Sequence, residues 1–351
     1  MAGVRPTTSE GGYQPVLDRL RHYHELTIHT LLQRVPKKAP AKYLWDLVPS
    51  YPMRGGKGFR PGLCIATCRA LGGTTEAALR SAVALELYHN AFLVHDDVED
   101  GSEYRRGLPT MHHEHGVGIA VNVGDAMNVL TMRPLMENLT VLGQELTWLV
   151  FQEFEHMVRE SVEGQAIELG WVKDNVCDLT EGDYLRMTLK KTCWYTCIHP
   201  CRIGALIASQ ASNLDRFNRF GYFMGAAFQI QDDVLNLVGD QEKYGKEIGG
   251  DIWEGKRTMM LIHALNHSTA REKERLRAFL AQPRAIRSAR DVAWVYRLFA
   301  KYDSIEAART AARHLAGAAI FEFYNAFSSL PDSEDKSFLE QIVTYMIERD
   351  L

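Results

Sequence analysis

One acidic pattern occurs twice in the sequence, as VHDDVED from Val94 and as IQDDVLN from Ile230. Each copy follows an apolar stretch with helical spacing, and positions i and i+4 of a helix share a face. Carboxylates crowded on such a face repel one another unless a counter-charge is present. Magnesium prefers oxygen ligands and is held by a few carboxylates together with phosphate oxygens. The pattern therefore predicts two helices that clamp a diphosphate through shared magnesium ions, with these ligands: Asp96, Asp97, Asp100, Asp232, Asp233 and Asn236.

A charged, solvated helix end is the alternative explanation for a single Asp-Asp pair, because short motifs often occur by chance. Two matched copies, both within apolar helices and accompanied by basic residues elsewhere, favour the metal site.

Helical periodicity dominates the rest of the chain, and strand signals are sparse. Apolar residues step by three and four from Ser304 onward, and a second such helix is predicted after the turn at Pro331 to Ser333. Gly, Pro or charged residues collect at 35–41, 72–75, 101–109, 173–178 and 239–255, where we expect breaks. The prediction is an all-α protein of about a dozen helices, with residues 13–351 forming one domain and residues 1–12 a flexible tail.

Composition limits the function. The net charge of −4 at pH 7 is spread along 351 residues, so no basic stripe for nucleic acid is expected. No apolar run approaches the roughly 18 residues of a membrane span. Six cysteines without an apparent leader indicate reduced thiols in a cytoplasmic protein. The cysteines at 193, 197 and 201 repeat every four residues, which favours a buried helix contact over a metal site.

Four segments appear in a fixed order: GGKGFRP from Gly55, HNAFLVHDDVEDGSEYRRGLP from His89, Lys191-Thr192, and FQIQDD from Phe228. They resemble the conserved blocks of the trans-isoprenyl (polyprenyl) diphosphate synthase family, of the geranylgeranyl and farnesyl type. The resemblance runs from about residue 13 to the C-terminus. It implies a single helical bundle around a deep central cavity, a homodimer, and about three magnesium ions per active site.

The resemblance also assigns substrates. An allylic diphosphate ionises, isopentenyl diphosphate attacks the resulting cation, and a proton is lost to the departing diphosphate. Two diphosphates need separate cationic grips. For isopentenyl diphosphate the resemblance implies Lys57, Arg60, His89 and Arg106. For the allylic diphosphate it implies Arg105, Lys191, Lys246 and Lys256, with Thr192 and Gln229 beside the same site. Gln165 matches a further Gly-Gln block, and Glu168 stands three residues on.

Two positions depart from the family pattern. Asn236 replaces the usual last aspartate of the second motif, which lowers its charge but keeps an oxygen ligand. Gly58 replaces the usual arginine after Lys57, so we expect weaker acceptor binding at most.

Product length should depend on residues one and two helical turns before Asp96, namely Phe92, Ala91 and Tyr88. In the family, two aromatic residues at the first two positions stop growth at fifteen carbons, whereas a small residue admits another unit. Ala91 therefore predicts an open pocket closed one turn deeper by Tyr88, and geranylgeranyl diphosphate (C20) as the product. A C15 or a C25 and longer product stays open, because the three residues are almost equally well explained as core packing and residues 191–196 resemble fifteen-carbon enzymes.

Three other functions remain to be distinguished. A class I terpene cyclase also ionises an allylic diphosphate but needs no acceptor site. A non-catalytic partner subunit commonly lacks acids from one motif, and both motifs are intact here. A zinc site at His112, His113 and His115 is disfavoured against a solvated loop or helix start, because the spacing is loose and no cysteine is near.

Overall fold

The computed structural model describes residues 13–208, 213–239 and 249–348, without the side chain of residue 347. The helices of this part are α1 (Gln14–Leu32), α2 (Ser50–Met53), α3 (Phe59–Ala70), α4 (Thr75–Asp100), α5 (Met111–His115), α6 (Val117–Glu137), α7 (Leu139–Lys173), α8 (Glu181–Thr188), α9 (His199–Ala208), α10 (Arg216–Val238), α11 (Gly250–Glu254), α12 (Met259–His267), α13 (Ala270–Leu280), α14 (Ala289–Lys301), α15 (Ser304–Phe327) and α16 (Glu334–Glu348). Two π-helical segments (Ala41–Trp45, Leu189–Ile198), a 3-10 turn (Arg284–Ile286) and a two-stranded hairpin, β1 (Tyr104–Arg105) and β2 (Leu108–Pro109), complete it.

The predicted all-α class is confirmed. Helices begin at Ser304 and Glu334, as the periodicity and the Pro331 to Ser333 turn predict. More helices form than the expected dozen because α2, α5 and α11 span a single turn or little more. The predicted tail, residues 1–12, lies outside the described residues. None of the helices in the described ranges combines the length and the apolar character that a bilayer crossing needs.

Two central helices carry the acidic motifs. Helix α4 is buried on every side along most of its length and packs against α3 and α6. Helix α10 packs against α15 and the π-helical segment Leu189–Ile198. Both motifs fall at the C-terminal ends of these helices. Free carbonyl groups make a helix C-terminus partly negative, so acids gathered there require cations nearby.

The ends of α4 are set by its flanking residues. Thr74 accepts a hydrogen bond from the backbone N–H of Ala77 (3.2 Å) and so caps the first turn. Gly101, in the left-handed conformation (φ 63°), ends the helix directly after Asp100. The first motif therefore stands in the last helical turn, with the β1–β2 hairpin following it.

Two glycines, which have no side chain, let the Leu189–Ile198 segment fit between α7 and α10. A Cβ atom on Gly164 of α7 would lie 2.5 Å from the Cα of Lys191, and one on Gly225 of α10 would lie 2.9 Å from the Cα of Cys193. Cys193 and the cysteines one and two turns on are buried free thiols, which confirms the predicted helix contact. This close packing fixes where Lys191 enters the site.

Candidate active site

Both acidic motifs border a single cavity of about 350 Å³. Asp96 lines it from α4, and Asp232 and Asp233 line it from α10. The structure therefore brings together the two segments that repeat in the sequence, although they are more than 130 residues apart.

Cations hold the outer acids of the first motif. Asp96 accepts hydrogen bonds from Lys191 (3.3 Å) and from the Gln165 amide (3.2 Å). Asp100 forms an ion pair with Lys256, with 2.6 Å between Oδ2 and Nζ. Burial raises the pKa of Asp100 above its ordinary value, although the Lys256 charge opposes the shift. These acids therefore lie where additional positive charge would stabilise them.

Asp97 lies behind the cavity wall and is fully buried. Its carboxylate accepts hydrogen bonds from Arg105 Nε (2.9 Å) and from the Tyr51 hydroxyl (2.7 Å). The same hydroxyl accepts a hydrogen bond from the backbone N–H of Met111 (3.1 Å). Asp97 is not among the cavity-lining residues, whereas Arg105 is. Asp97 is therefore placed to orient Arg105 rather than to bind a metal ion in the cavity as the sequence predicted.

Neutral groups hold Asp233 in the second motif. It accepts hydrogen bonds from the Tyr184 hydroxyl (2.8 Å) and the Gln229 amide (2.8 Å). Thr192 in turn donates to the Gln229 carbonyl oxygen (2.8 Å). Burial raises the pKa of Asp233, and the two hydrogen bonds oppose that shift. Thr192 and Gln229, assigned by resemblance, thus lie beside Asp233 as expected.

Asn236 holds a loop and does not line the cavity. Its side-chain Oδ1 accepts the backbone N–H of Asp251 (3.1 Å), and its carbonyl oxygen accepts that of Gly249 (2.7 Å). Asp251 itself lines the cavity. Asn236, at the predicted metal position, therefore positions the backbone of Gly249 and Asp251. The Asp251 carboxylate lines the cavity instead.

Three of the cations assigned to the allylic diphosphate surround the acids. Lys191 lies between Asp96 and Glu168; burial alone would lower its pKa, but these two carboxylates raise it. Lys256 behaves likewise, with Asp100 first among the acids that raise its pKa. Arg105 completes the set. Lys246, also assigned there, lies outside the described residues.

The residues assigned to isopentenyl diphosphate gather at another part of the cavity wall. Lys57, Arg60, His89 and Arg106 all line it. Arg60 donates to the Thr196 hydroxyl (2.8 Å). Burial, together with the charges of Arg60 and Arg106, lowers the pKa of His89 well below its usual value. Burial also lowers the pKa of Arg106 to about 10. Positive charge is thus concentrated where an anion would relieve it.

Aromatic side chains close the apolar end of the cavity. The Phe92 and Tyr195 rings both line it, with centroids 5.5 Å apart. Tyr88 lies behind them, 5.9 Å from Phe92 and 6.2 Å from Tyr195. Ala91 faces away and packs in the cluster between α4 and α6. Its small side chain therefore does not open this pocket, contrary to the expectation from its distance to Asp96.

Sequence reasoning missed three contributors: Tyr51, Tyr184 and Asp251. The two tyrosines gave no signal, because aromatic residues at helical spacing are ordinary core residues. Asp251 is close enough to Lys256 in the sequence to have suggested a role.

The donor set fits magnesium bound in part by the substrate. In the described ranges, no three His, Cys, Asp or Glu side chains already converge to hold an ion by themselves. Magnesium usually takes one or two carboxylates, several waters and phosphate oxygens, so a preformed cage is not required. The carboxylates of Asp96, Asp232, Asp233 and Asp251 face one cavity and are suitable ligands for such an ion.

His112, His113 and His115 lie on the short helix α5, as the helix-start interpretation predicts.

Comparison with known proteins agrees with this geometry. The family model described as polyprenyl synthetase matches residues 42–299, which include both motifs and the described basic residues of the site. The chain belongs to the polyprenyl synthetase family. As a polyprenyl synthetase it is an enzyme that transfers prenyl groups, which confirms the predicted enzyme class.

Relatives of this polyprenyl synthetase cover most of its length. It is 33% identical to the geranylgeranyl diphosphate synthase of Saccharolobus solfataricus over 66% of this chain and 69% of that one. It is 30% identical to the short chain isoprenyl diphosphate synthase of Methanothermobacter thermautotrophicus over 95% and 99%.

Solved structures show the same fold. The geranylgeranyl pyrophosphate synthetase of Pyrococcus horikoshii aligns with a TM-score of 0.84 at 29% identity, covering 96% of this chain and 99% of that chain. The geranylgeranyl pyrophosphate synthase of Corynebacterium glutamicum, solved with isoprenyl diphosphate and magnesium, aligns at 0.80 and 25% identity over 95% and 97%.

Proposed function

We propose that this polyprenyl synthetase condenses an allylic diphosphate with isopentenyl diphosphate to form geranylgeranyl diphosphate. The observation that carries the proposal is the single cavity lined by acids from both motifs and by two sets of basic side chains. An ionising enzyme without an acceptor would have no use for the second set. Relatives named geranylgeranyl diphosphate synthase support the twenty-carbon product.

We propose that magnesium, about three ions per site, is held by Asp96, Asp100 and Asp232 together with the allylic diphosphate. When bound, the metal would neutralise charge on the leaving diphosphate. Asp251 lines the same cavity and would add a further carboxylate. Asp233 lines the cavity and stays a proposed metal ligand, held by the Gln229 amide. For Asp97 we propose instead that it orients Arg105.

The allylic diphosphate is gripped by Lys191, Arg105 and Lys256, all close to the first motif. Each of these cations now neutralises a carboxylate, and a bound diphosphate would share them. Their charge stabilises the negative oxygens that form as the allylic C–O bond breaks. Lys246 is proposed to join this group.

Isopentenyl diphosphate is held by Lys57, Arg60, His89 and Arg106, so its double bond faces the breaking C–O bond. Electrons of that double bond form the new C–C bond to the allylic cation. The carbon skeleton contributed by isopentenyl diphosphate then loses a proton to the departing diphosphate, and this loss restores an alkene. The apolar wall at Phe92 excludes water, which would otherwise capture the cation.

Incubation with isopentenyl diphosphate, magnesium and a C5, C10 or C15 allylic diphosphate tests this proposal, with product lengths read by chromatography. We expect C20 product from each starter and none when isopentenyl diphosphate is omitted or magnesium is chelated. Product formed without isopentenyl diphosphate would identify a terpene cyclase. Activity that appears only after mixing with a homologue would identify a non-catalytic partner subunit.

A fifteen-carbon product is the second candidate, favoured by the contact between the Phe92 and Tyr195 rings. Variants at the wall distinguish the two products. If the tail stops at this pair, Phe92→Ala lengthens the product and Tyr88→Ala leaves it unchanged. If Tyr88 forms the floor, as the C20 proposal holds, Tyr88→Ala yields products longer than C20.

We also propose a homodimer. Apolar side chains at Val121, Val129, Met132 and Met136 are exposed along one face of α6, and Trp148 is exposed on α7. Exposed apolar patches of this kind mark protein interfaces. Light scattering should give twice the chain mass of 39.7 kDa, and Met132→Asp with Met136→Asp should yield monomer.

The six buried free cysteines fit a reducing compartment, so we propose a cytoplasmic location. Fractionation of the source cells tests this, and recovery of the protein from an oxidising compartment would contradict it.

A further inference from the structure

Two glycines in the loop before α3, Gly56 and Gly58, each leave space for a basic side chain of another segment. A Cβ atom on Gly56 would lie 2.8 Å from Nη2 of Arg106. A Cβ atom on Gly58 (φ +64°) would lie 2.6 Å from the Cβ of His24 and 2.9 Å from its Nδ1. Both glycines line the cavity. Arg106, which lines the cavity, and His24, which packs directly against Gly58, therefore each take space that a side chain in this loop would otherwise fill.

Three buried nitrogen atoms of this region have no hydrogen-bond partner among the described residues: His24 Nδ1, His89 Nδ1 and Arg60 Nε. Buried polar atoms are normally paired, and those that are not often await a ligand. Burial lowers the pKa of His89 most, followed by the charges of Arg60, Arg106 and Arg105. The charge of His24 adds to this shift, which shows that His24 lies near His89. Nitrogen atoms from α1, α3 and α4, at the cavity wall or next to Gly58 in that wall, thus have no acceptor among the described residues.

We propose that His24 is a further residue that binds the diphosphate of isopentenyl diphosphate. Its imidazole takes the space left by Gly58, where the family usually has arginine, and donates a hydrogen bond from Nδ1. This inference rests on the proposed function, because it assigns a ligand to the acceptor part of the same site. It also accounts for Gly58, since any larger residue there would displace the histidine ring.

Calorimetric binding of isopentenyl diphosphate alone tests the proposal, because no reaction occurs without an allylic starter. Loss of a charge-assisted hydrogen bond in His24→Ala should weaken binding about 10-fold to 100-fold. His22→Ala is the matched control, because His22 lies on the same helix with an exposed side chain, and it should bind as wild type does. In steady-state assays His24→Ala should raise KM for isopentenyl diphosphate and leave KM for the allylic substrate within about twofold.

A rescue variant separates binding from folding. His24→Asn keeps a side-chain N–H donor near the position of Nδ1, and we expect it to recover most of the affinity that His24→Ala loses. Gly58→Ala alone should weaken binding because its Cβ displaces His24. Thermal unfolding checks that each variant is folded.

Wild-type affinity in folded His24→Ala, or equal losses for both substrates, would overturn the role of His24. A wild-type protein that does not bind isopentenyl diphosphate at all would instead overturn the proposed function.

Discussion

The two acidic motifs share an Asp-Asp pair at the end of a buried helix, but the groups that hold them differ in charge. In the first motif Asp97 pairs with the Arg105 guanidinium, and Asp100 pairs with Lys256. In the second motif Asp233 accepts hydrogen bonds from a phenol and an amide, and Asn236 accepts a backbone N–H. Each motif nevertheless places one buried tyrosine hydroxyl on its second aspartate.

The difference indicates a division of labour. The first motif gathers basic side chains that would pass to the diphosphate when it binds. In the second motif the hydrogen-bond partners of Asp233 are a phenol and an amide. We therefore expect the first motif to organise the basic side chains around the diphosphate, and Asp233 to depend on hydrogen bonds to neutral groups.

Removing the carboxylate that faces the cavity should have the largest effect at both motifs. We expect Asp96→Asn and Asp232→Asn each to lower kcat about 10³-fold, because each removes charge that stabilises the leaving diphosphate through bound metal. Asp18→Asn, at an exposed position on α1, is the control and should be silent. Wild-type kcat in either cavity variant would show that the motifs do not act on one diphosphate.

Substituting the second aspartate of each motif tests the difference in partner charge directly. Asp97→Asn removes the nearer of the two carboxylates that pair with the buried Arg105 and should cost about 3 to 5 kcal/mol of unfolding free energy. Asp233→Asn breaks hydrogen bonds to neutral groups and should cost about 1 to 3 kcal/mol. Denaturant unfolding of both proteins gives the comparison. Equal losses would mean that the charge of the partner is unimportant.

The two tyrosines sharpen the comparison without changing charge. Tyr184→Phe should reduce kcat about tenfold, because Asp233 keeps only the Gln229 amide. Tyr51→Phe should have a smaller effect on kcat, since Arg105 still fixes Asp97. The measurement is kcat at saturating magnesium and substrates. A larger loss at Tyr51 would reverse the assignment of roles.

Asn236 should give the smallest effect on activity. Asn236→Asp retains an oxygen that accepts the Asp251 N–H, so we expect kcat within about threefold of wild type. Asn236→Ala leaves that N–H unpaired and should lower the unfolding free energy by about 1 to 3 kcal/mol. If Asn236→Asp instead raised magnesium affinity strongly, the side chain would be a metal ligand after all.

The sequence was informative where a pattern was local. Helical periodicity predicted the helices from Ser304 and Glu334, and the repeated Asp-Asp pattern predicted two motifs that border one cavity. The face of α4 was not predictable in the same way. That helix is buried on nearly all sides, so it has no polar stripe from which the orientation of Ala91 follows.

Contacts between segments that are distant in the sequence could not be predicted either. Tyr51 of α2 contacts Asp97 of α4, and His24 of α1 contacts Gly58 before α3, only after these helices have packed. A lone tyrosine or histidine carries no spacing signal for such a contact. Asn236 was assigned to metal from its place in the motif. Its actual partner is a backbone N–H fifteen residues on, which the motif does not indicate.

A crystal structure with magnesium and a non-ionisable thio analogue of an allylic diphosphate tests the central claim most directly. We predict divalent ions that bridge one diphosphate to Asp96 and Asp100 on one side and to Asp232 on the other, with Lys191 and Lys256 on its oxygens. Metal ions bound at only one motif, or a diphosphate bound outside this cavity, would contradict the account.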